Sequence, residues 1–452
     1  ISTGGGAMDT MYVINKAKWK DSTGMYIGKN ACYQSSNTTK IAIGENAGYQ
    51  DSSSINYSSI AIGENAGYQN KGYWQTAIGA GAGLKNEGIN QIALGSGSGR
   101  ANKGDYQIVF GYLAGLGNSG ASQTAIGDHT GEQNKGNYQV ALGNGSGGTN
   151  EGPGQISIGF GNGRDNKGAY QTVIGNNNGF NNSGYCQIAM GKSAGAYNIG
   201  AFQIAMGDST GINNQASNQI ALGKEAGINN YGDYQNAIGT RAGLTNNGKY
   251  QNAIGDSAGF SNQSSNQNAI GTMAGMLNTG ENQNAIGVSA GYDNNAKNQN
   301  AMGFQAGYNN YGNNQIAFGY NAGYSNYGNY QTVIGDSSGM YNNGSNTIFI
   351  GNKRGNNNMV NGKIEIDPTP TSTPLIEGYA VDDSLIINGD LNVKERLIVS
   401  KQIVTTSGNT TVNKVAGRVR IPLGSSSVVV TNSLVDLNSM WPHLRRTTIV
   451  LS

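Results

Sequence analysis

From Gly63 to Gly351 a glycine recurs every sixteen residues, and this period limits the chain to a stack of short, similar units. With that glycine as position 0 of each copy, Gly28 and Gly44 hold the same place, and the copies number 21. The one irregular step, Gly44 to Gly63, carries three extra residues within DSSSINYSS. Position 4 is again glycine, as at Gly67, Gly83 and Gly259, usually preceded by Ala or Ser. Position 7 is Asn without a break from Asn70 to Asn342, and position 12 is Gln from Gln75 to Gln331. Positions 13 to 15 read apolar or β-branched, small, then large, as in Thr76-Ala77-Ile78 and Ile92-Ala93-Leu94.

Three such residues between glycines make a strand too short to be stable alone. Stacked in register on copies above and below, both its edges are paired. Glycines then mark corners of positive φ or of close backbone approach. Sixteen residues with several glycines cannot hold two helices, which excludes an α-solenoid. The period predicts an all-β parallel β-solenoid of about 21 sixteen-residue coils over residues 26–352. One Asn and one Gln per coil predict amide ladders along the stack, at Asn70, Asn86, Asn262 and Asn278 and at Gln75, Gln91, Gln251 and Gln267. Positions 13 and 15 share a face and position 14 faces oppositely. Which face is the coil interior stays open, because the alanine face equally suits another sheet or another chain.

Composition supports a repeat. There are 73 glycines and 12% charged residues, but only 6 prolines and no Gly-X-Y triplet, which excludes collagen. A net charge of +2 gives no basic field for nucleic acid, and no apolar run is long enough for a membrane-spanning helix. Cys32 and Cys186 fall about ten copies apart, too far for a disulfide within the chain. His129 and His443 lie in unrelated segments, and no Cys/His cluster has zinc spacing. No pair of carboxylates is nominated for glycoside cleavage. The chain reads as non-enzymatic, with no catalytic, cofactor-binding or metal-binding residues and no cofactor.

Outside the repeat, residues 1–25 read as a cap or connector. Residues 353–378 read as a capping segment with a stiff Asp-Pro-Thr-Pro-Thr-Ser-Thr-Pro connector. Residues 379–452 read as a small β-rich module, with Asn388-Gly389 as a hairpin turn signal.

Blocks such as QNAIGDSAG and SSIAIGENAG resemble the head repeats of YadA-type trimeric autotransporter adhesins, units also found in phage and virus fibre proteins. The resemblance covers roughly residues 26–352 and rests on copy number. It implies a left-handed β-roll, a homotrimer about a common axis and an extracellular place on a virion or bacterial surface. It also implies a tip that binds a host-surface glycan or protein receptor, with no membrane insertion by this chain. KIEIDPTPTSTPLIEGYAVDDSLIINGDLNV resembles segments that follow such repeats, and GRVRIPLGSSSVVVTNSLVDLNSM resembles modules that end fibre chains. The heptad stalk and membrane barrel of a complete trimeric autotransporter have no counterpart in this sequence. The implied work is mechanical: a rigid spacer of about 100 Å, from twenty-odd coils at about 4.8 Å. A bacterial surface filament is the alternative, and a monomeric ice- or polysaccharide-binding solenoid a lesser one. For the last, Thr76, Thr124, Thr172 and Thr332 are too sporadic.

Two sets of residues depart from uniformity. At position 13 the usual Ile or Thr becomes Asn five times running, at Asn236, Asn252, Asn268, Asn284 and Asn300. These form either a ladder inside the coil, the favoured expectation, or an axial polar section of a trimer. Tyrosines recur at position 5, notably Tyr292, Tyr308 and Tyr324, and at position 11. Rows of aromatics either pack along the coil ridge or stack on sugar rings.

Overall fold

The structure, a computed structural model, describes residues 24–35, 40–51 and 58–392, and the backbone of five short strands between 403 and 451. The chain divides into two compact units, Ile1–Asn388 and Gly389–Ser452. All regular structure among the described residues is β.

The first unit is a parallel β-solenoid. Its strands run from β1 (Met25–Ile27) to β22 (Lys363–Asp367), each pairing in parallel with the next, in register with the sixteen-residue period. Each Gln-x-Ala-x segment lies on its copy: Gln251 opposite Gln267, Ala253 opposite Ala269, Ile254 opposite Ile270. The ladder continues around the coil beyond the strand. Gly255, Ser257 and Ser261 donate down to Ile238, Thr240 and Leu244 of the coil before, while Gly259 donates up to Ala274 of the coil after.

To close a coil in sixteen residues the backbone turns through the left-handed region repeatedly, at Gly255 (φ 134°), Ser257, Gly259, Ser261 and Asn266. Position 0 is the strictest of these. A Cβ on Gly79 would lie 2.5 Å from the carbonyl oxygen of Gly95, in a φ of +129°. Two residues on, Gly81 also has positive φ, but a Cβ there meets nothing within 4 Å.

The interior is narrow and filled by small side chains. Alanines at position 14 (Ala253, Ala269, Ala285) and position 3 (Ala258, Ala274, Ala290) are fully buried and form continuous columns. The alanine face is therefore the coil interior, which the sequence left open, and the large apolar residues of position 15 point outward.

The parallel ladder runs one coil past the expected end at 352. Ile364, Glu365, Ile366 and Asp367 pair with Ile348, Phe349, Ile350 and Gly351, so Glu365 and Asp367 stand where other coils place Ala and Gly. This last coil closes the stack with larger groups. Phe349 is fully buried, and buried Glu365 accepts the Gly355 N–H at 2.8 Å. Arg354, at the inner position 3, donates to the Thr371 carbonyl.

The Pro/Thr run is a reversal, not an extended connector. β23 (Ile376–Tyr379) returns antiparallel to β22, and β24 (Ser384–Ile387) follows antiparallel to β23. Asp367 fixes the reversal by accepting the Thr369 N–H and hydroxyl and the Thr371 hydroxyl, which hold its carboxyl down at about 2. β23 and β24 thus fall within the first unit, which ends at Asn388. Asn388 donates to Pro374 and Leu375 carbonyls. A hairpin across Asn388-Gly389 would require residues outside the described ones.

In the second unit β25 (Ile403–Val404) pairs in parallel with β27 (Arg418–Val419). β26 (Thr410–Thr411) pairs in parallel with β28 (Val428–Thr431), and β28 antiparallel with β29 (Ile449–Leu451). Of the expected N-terminal cap, residues 1–23 lie outside the described residues.

Beside the three-residue insertion, one coil replaces the buried amide pair by charges. Lys40 takes the Gln place and Asp51 the Asn place. They form a 2.6 Å ion pair with side chains 1% and 4% exposed, and Lys40 also donates to the Gly48 carbonyl. Nearby, burial pushes the Cys32 thiol up to about 11, against the opposing pull of Lys40, and both cysteines are free.

Two outcomes follow for unfolding by denaturant. Gly79→Ala forces the coil above to move and is expected to destabilise by about 3 kcal/mol or more, while Gly81→Ala bears only the left-handed cost of about 1–2 kcal/mol. Equal midpoints for the two variants would contradict this packing. Lys40→Gln and Asp51→Asn, made singly, each strand a buried charge at a cost of about 3–5 kcal/mol. Made together, they restore the pattern of the other coils and should recover most of that loss.

Candidate interaction surface

Each strand presents positions 13 and 15 outward on the same side. Position 15 is apolar in every coil from Ile27 to Ile366, and position 13 is Ile, Val, Met or Thr except in the Asn section. Ile254 and Ile270 are 39% and 40% exposed although stacked on one another, so their outer halves stay uncovered. The result is an apolar stripe along the solenoid, two side chains wide outside the Asn section and one wide within it. At one coil per about 4.8 Å its length is about 100 Å, and a patch of that extent is unusual on a chain that stays alone.

The Asn section lies on this stripe. Asn236, Asn252, Asn268, Asn284 and Asn300 donate in sequence, each Nδ2 to the next Oδ1 at 2.7 Å. The expected ladder within the chain therefore exists, but on the outside of the coil rather than inside it. The reason is geometric: position 14 occupies the interior, so its neighbours at 13 and 15 must face out. A second outward ladder at position 11 runs beside it through Asn266, Asn282, Asn298 and Asn314, with steps of 3.0, 3.1 and 2.9 Å. The sequence reading missed it, though four Asn at sixteen-residue spacing signalled it. Those Asn also sit at left-handed φ near 60°, which their short polar side chain tolerates.

The fixed Asn and Gln of positions 7 and 12 are buried and bond mainly to backbone, with side-chain steps only at places such as Gln171 to Gln187 and Gln187 to Gln203, both 3.4 Å, and Asn358 to Asn342 at 2.9 Å. Asn70 Oδ1 accepts the Asn86 N–H at 2.9 Å, and Asn262 Oδ1 that of Asn278 at 3.0 Å. Gln75 and Gln91 donate to the Gly88 and Gly104 carbonyls at 2.9 and 2.8 Å. Gln251 and Gln267 donate to the Ser264 and Gly280 carbonyls at 2.6 and 3.0 Å. The side chains thus satisfy corner amides and carbonyls that the strand ladder leaves over. The Oε1 atoms of these four glutamines are buried with no hydrogen-bond partner.

Tyr292, Tyr308 and Tyr324 stack face to face with centroids 4.8 and 4.9 Å apart and are half-buried. Burial raises the Tyr308 phenol above its ordinary value, helped by its tyrosine neighbours. Two further stacks in the same coils escaped the sequence reading: Phe304 on Tyr320 at 5.1 Å and Tyr311 on Tyr327 at 5.0 Å. These four rings are exposed. His129 is also half exposed, with Nδ1 2.7 Å from Glu132.

No family model, curated protein or solved structure matches this chain.

If the tyrosine column serves packing, Tyr308→Phe keeps the stack and should change stability by under about 0.5 kcal/mol, whereas Tyr308→Ala should cost about 2 kcal/mol. Thermal unfolding of both variants measures this. Unchanged stability of the alanine variant would assign the column to ligand contact instead.

Proposed function

We propose that this chain is the shaft of an extracellular, homotrimeric fibre, a rigid non-enzymatic spacer that presents a surface-binding tip. The observation that carries the reading is the outward apolar row of position 15, continuous from Ile27 to Ile366 and doubled by position 13 outside the Asn section. Its large side chains gain full burial only against another body. That body must match a side-chain period of about 4.8 Å over about 100 Å, and a second copy of the same coil does so without adjustment. Chains placed side by side in parallel keep every level in step and close around a common axis. The number three, the virion or bacterial surface location and a glycan or protein receptor at the tip come from the resemblance of QNAIGDSAG-type units to fibre and adhesin heads.

The mechanical role follows from the ladder. Any bend must stretch parallel hydrogen bonds on one side of every coil, so the stack resists bending all round its perimeter. Glycine-fixed corners leave no hinge within a coil. Such a rod sets distance and orientation and asks nothing of acid–base chemistry.

Mass measurement in solution tests the assembly: three chains of 47.0 kDa give about 141 kDa. Ile254→Asp with Ile270→Asp places charges on the stripe at positions that are solvated in the single chain. The pair is expected to shift the mass toward 47.0 kDa while the β circular dichroism persists. A native mass of one chain would sink the fibre reading as stated.

A further inference from the structure

We infer that the Asn236–Asn300 section is a register key, a polar block on the outward stripe that fixes the axial alignment of neighbouring subunits. The inference rests on the trimeric reading above and gives its Asn section a task.

A repeat this uniform carries a hazard. Sliding one subunit past its neighbours by a single coil, about 4.8 Å, brings every backbone level back into coincidence. Position 15 does not resist the slip, since it is apolar in every coil from Ile27 to Ile366. Position 13 does. After a one-coil slip Asn300 lies level with Ile316 of the neighbour, and Ile220 level with Asn236. Each further coil of slip adds another mismatched level at both ends of the block, up to its full length of five.

The amides have the capacity to make such mismatch costly. Within one chain Asn268 donates one N–H to Asn284 and accepts one from Asn252. A carboxamide holds two N–H groups and two lone pairs, so one of each remains for a partner. In register, these face the same groups on the neighbours. Out of register they face isoleucine, and a polar group enclosed without a partner is strongly disfavoured. A single buried Asn sets register in paired helices on the same principle. Asn266, Asn282 and Asn298 widen the polar block beside Asn268, Asn284 and Asn300.

The full chain with Cys32→Ser, spin-labelled at native Cys186, reports register through dipolar distances between subunits. The native Asn section should give one narrow distance. Replacing all five Asn by Ile, the residue most other coils carry there, should leave the trimeric mass but add further distances in coil-sized steps. A block moved two coils along, by Asn236→Ile, Asn252→Ile, Ile316→Asn and Thr332→Asn, should restore the single distance. Retention of one narrow distance by the five-Ile variant would overturn the inference. A one-chain mass for the native protein would instead remove the trimeric reading, and the inference with it. Should the five-Ile variant not fold, native and moved-block chains co-expressed with different tags decide the matter. Mixed trimers should then fall about tenfold below random mixing, and random mixing overturns the key.

Discussion

The structure depends on one contact: the close passage of backbone over backbone at position 0. There the Gly255 N–H donates to Ile238 while the site of its missing Cβ lies 2.6 Å from the Gly271 carbonyl oxygen. No side chain fits in that gap, so the coil spacing is set by hydrogen bonds alone. Everything else adapts to this pitch. With coils so close and sixteen residues per turn, the enclosed space is filled mostly by alanine columns flanked by amides, with a few valines and, at the last coil, Phe349. The large apolar residues have nowhere to go but outward. A globular domain sorts large apolar groups inward; here the geometry of the coil reverses that order.

The reversal ties fold to assembly. An alanine-lined interior gains little from the hydrophobic effect, since a buried methyl contributes far less than a buried Leu or Ile. Much of the holding together falls to hydrogen bonds that run along the stack: backbone ladders, Asn70-type side chains on N–H groups and Gln75-type side chains on carbonyls. Burying the stripe adds the apolar term that the interior cannot supply. In the proposed assembly a neighbouring surface of the same pitch would supply that term.

Most of the coil was legible in the sequence because a sixteen-residue period with fixed glycines allows few solutions. Parallel pairing in register, the shared face of Asn252 and Ile254 and the stacking of Tyr308 all follow from period and alternation. The inside–outside assignment did not follow, because alternation separates two faces without naming them, and Ala253 suits both a thin core and a close contact. The amide bonding was misjudged for a related reason. Identical residues at fixed spacing suggest side chains bonding to each other, but Asn262 and Gln251 sit beside corners whose backbone groups need partners more. Lys40 and Asp51 escaped notice because the Gln and Asn series were followed only from Gln75 and Asn70 onward, although they stand at the regular places twelve after Gly28 and seven after Gly44. The Pro/Thr run misled because stiffness was read from composition, while Asp367 collects three hydrogen bonds that turn the chain back.

Uniformity and information are in tension in such a chain. Positions that serve the coils above and below are nearly the same residue in every copy, with exceptions such as Val109, Val173 and the Lys40–Asp51 pair, so the interior encodes little beyond the period. Distinctions between one coil and another fall mostly on residues that neither close the corner nor fill the core, at positions 1, 5, 8, 11 and 13. The outward departures from the pattern lie there: charged steps such as Lys71–Glu87 at 3.0 Å, aromatic stacks at 304–327 and the outward Asn block. The exposed ion pairs contribute little to stability, since both partners keep their water. An amide block on an apolar stripe differs in kind. It is the departure whose energetic consequence grows when a second chain covers it, because covering removes the water that otherwise satisfies each spare N–H and lone pair. Local identity in this molecule is therefore expressed at its surfaces, and most strongly where a surface becomes an interior.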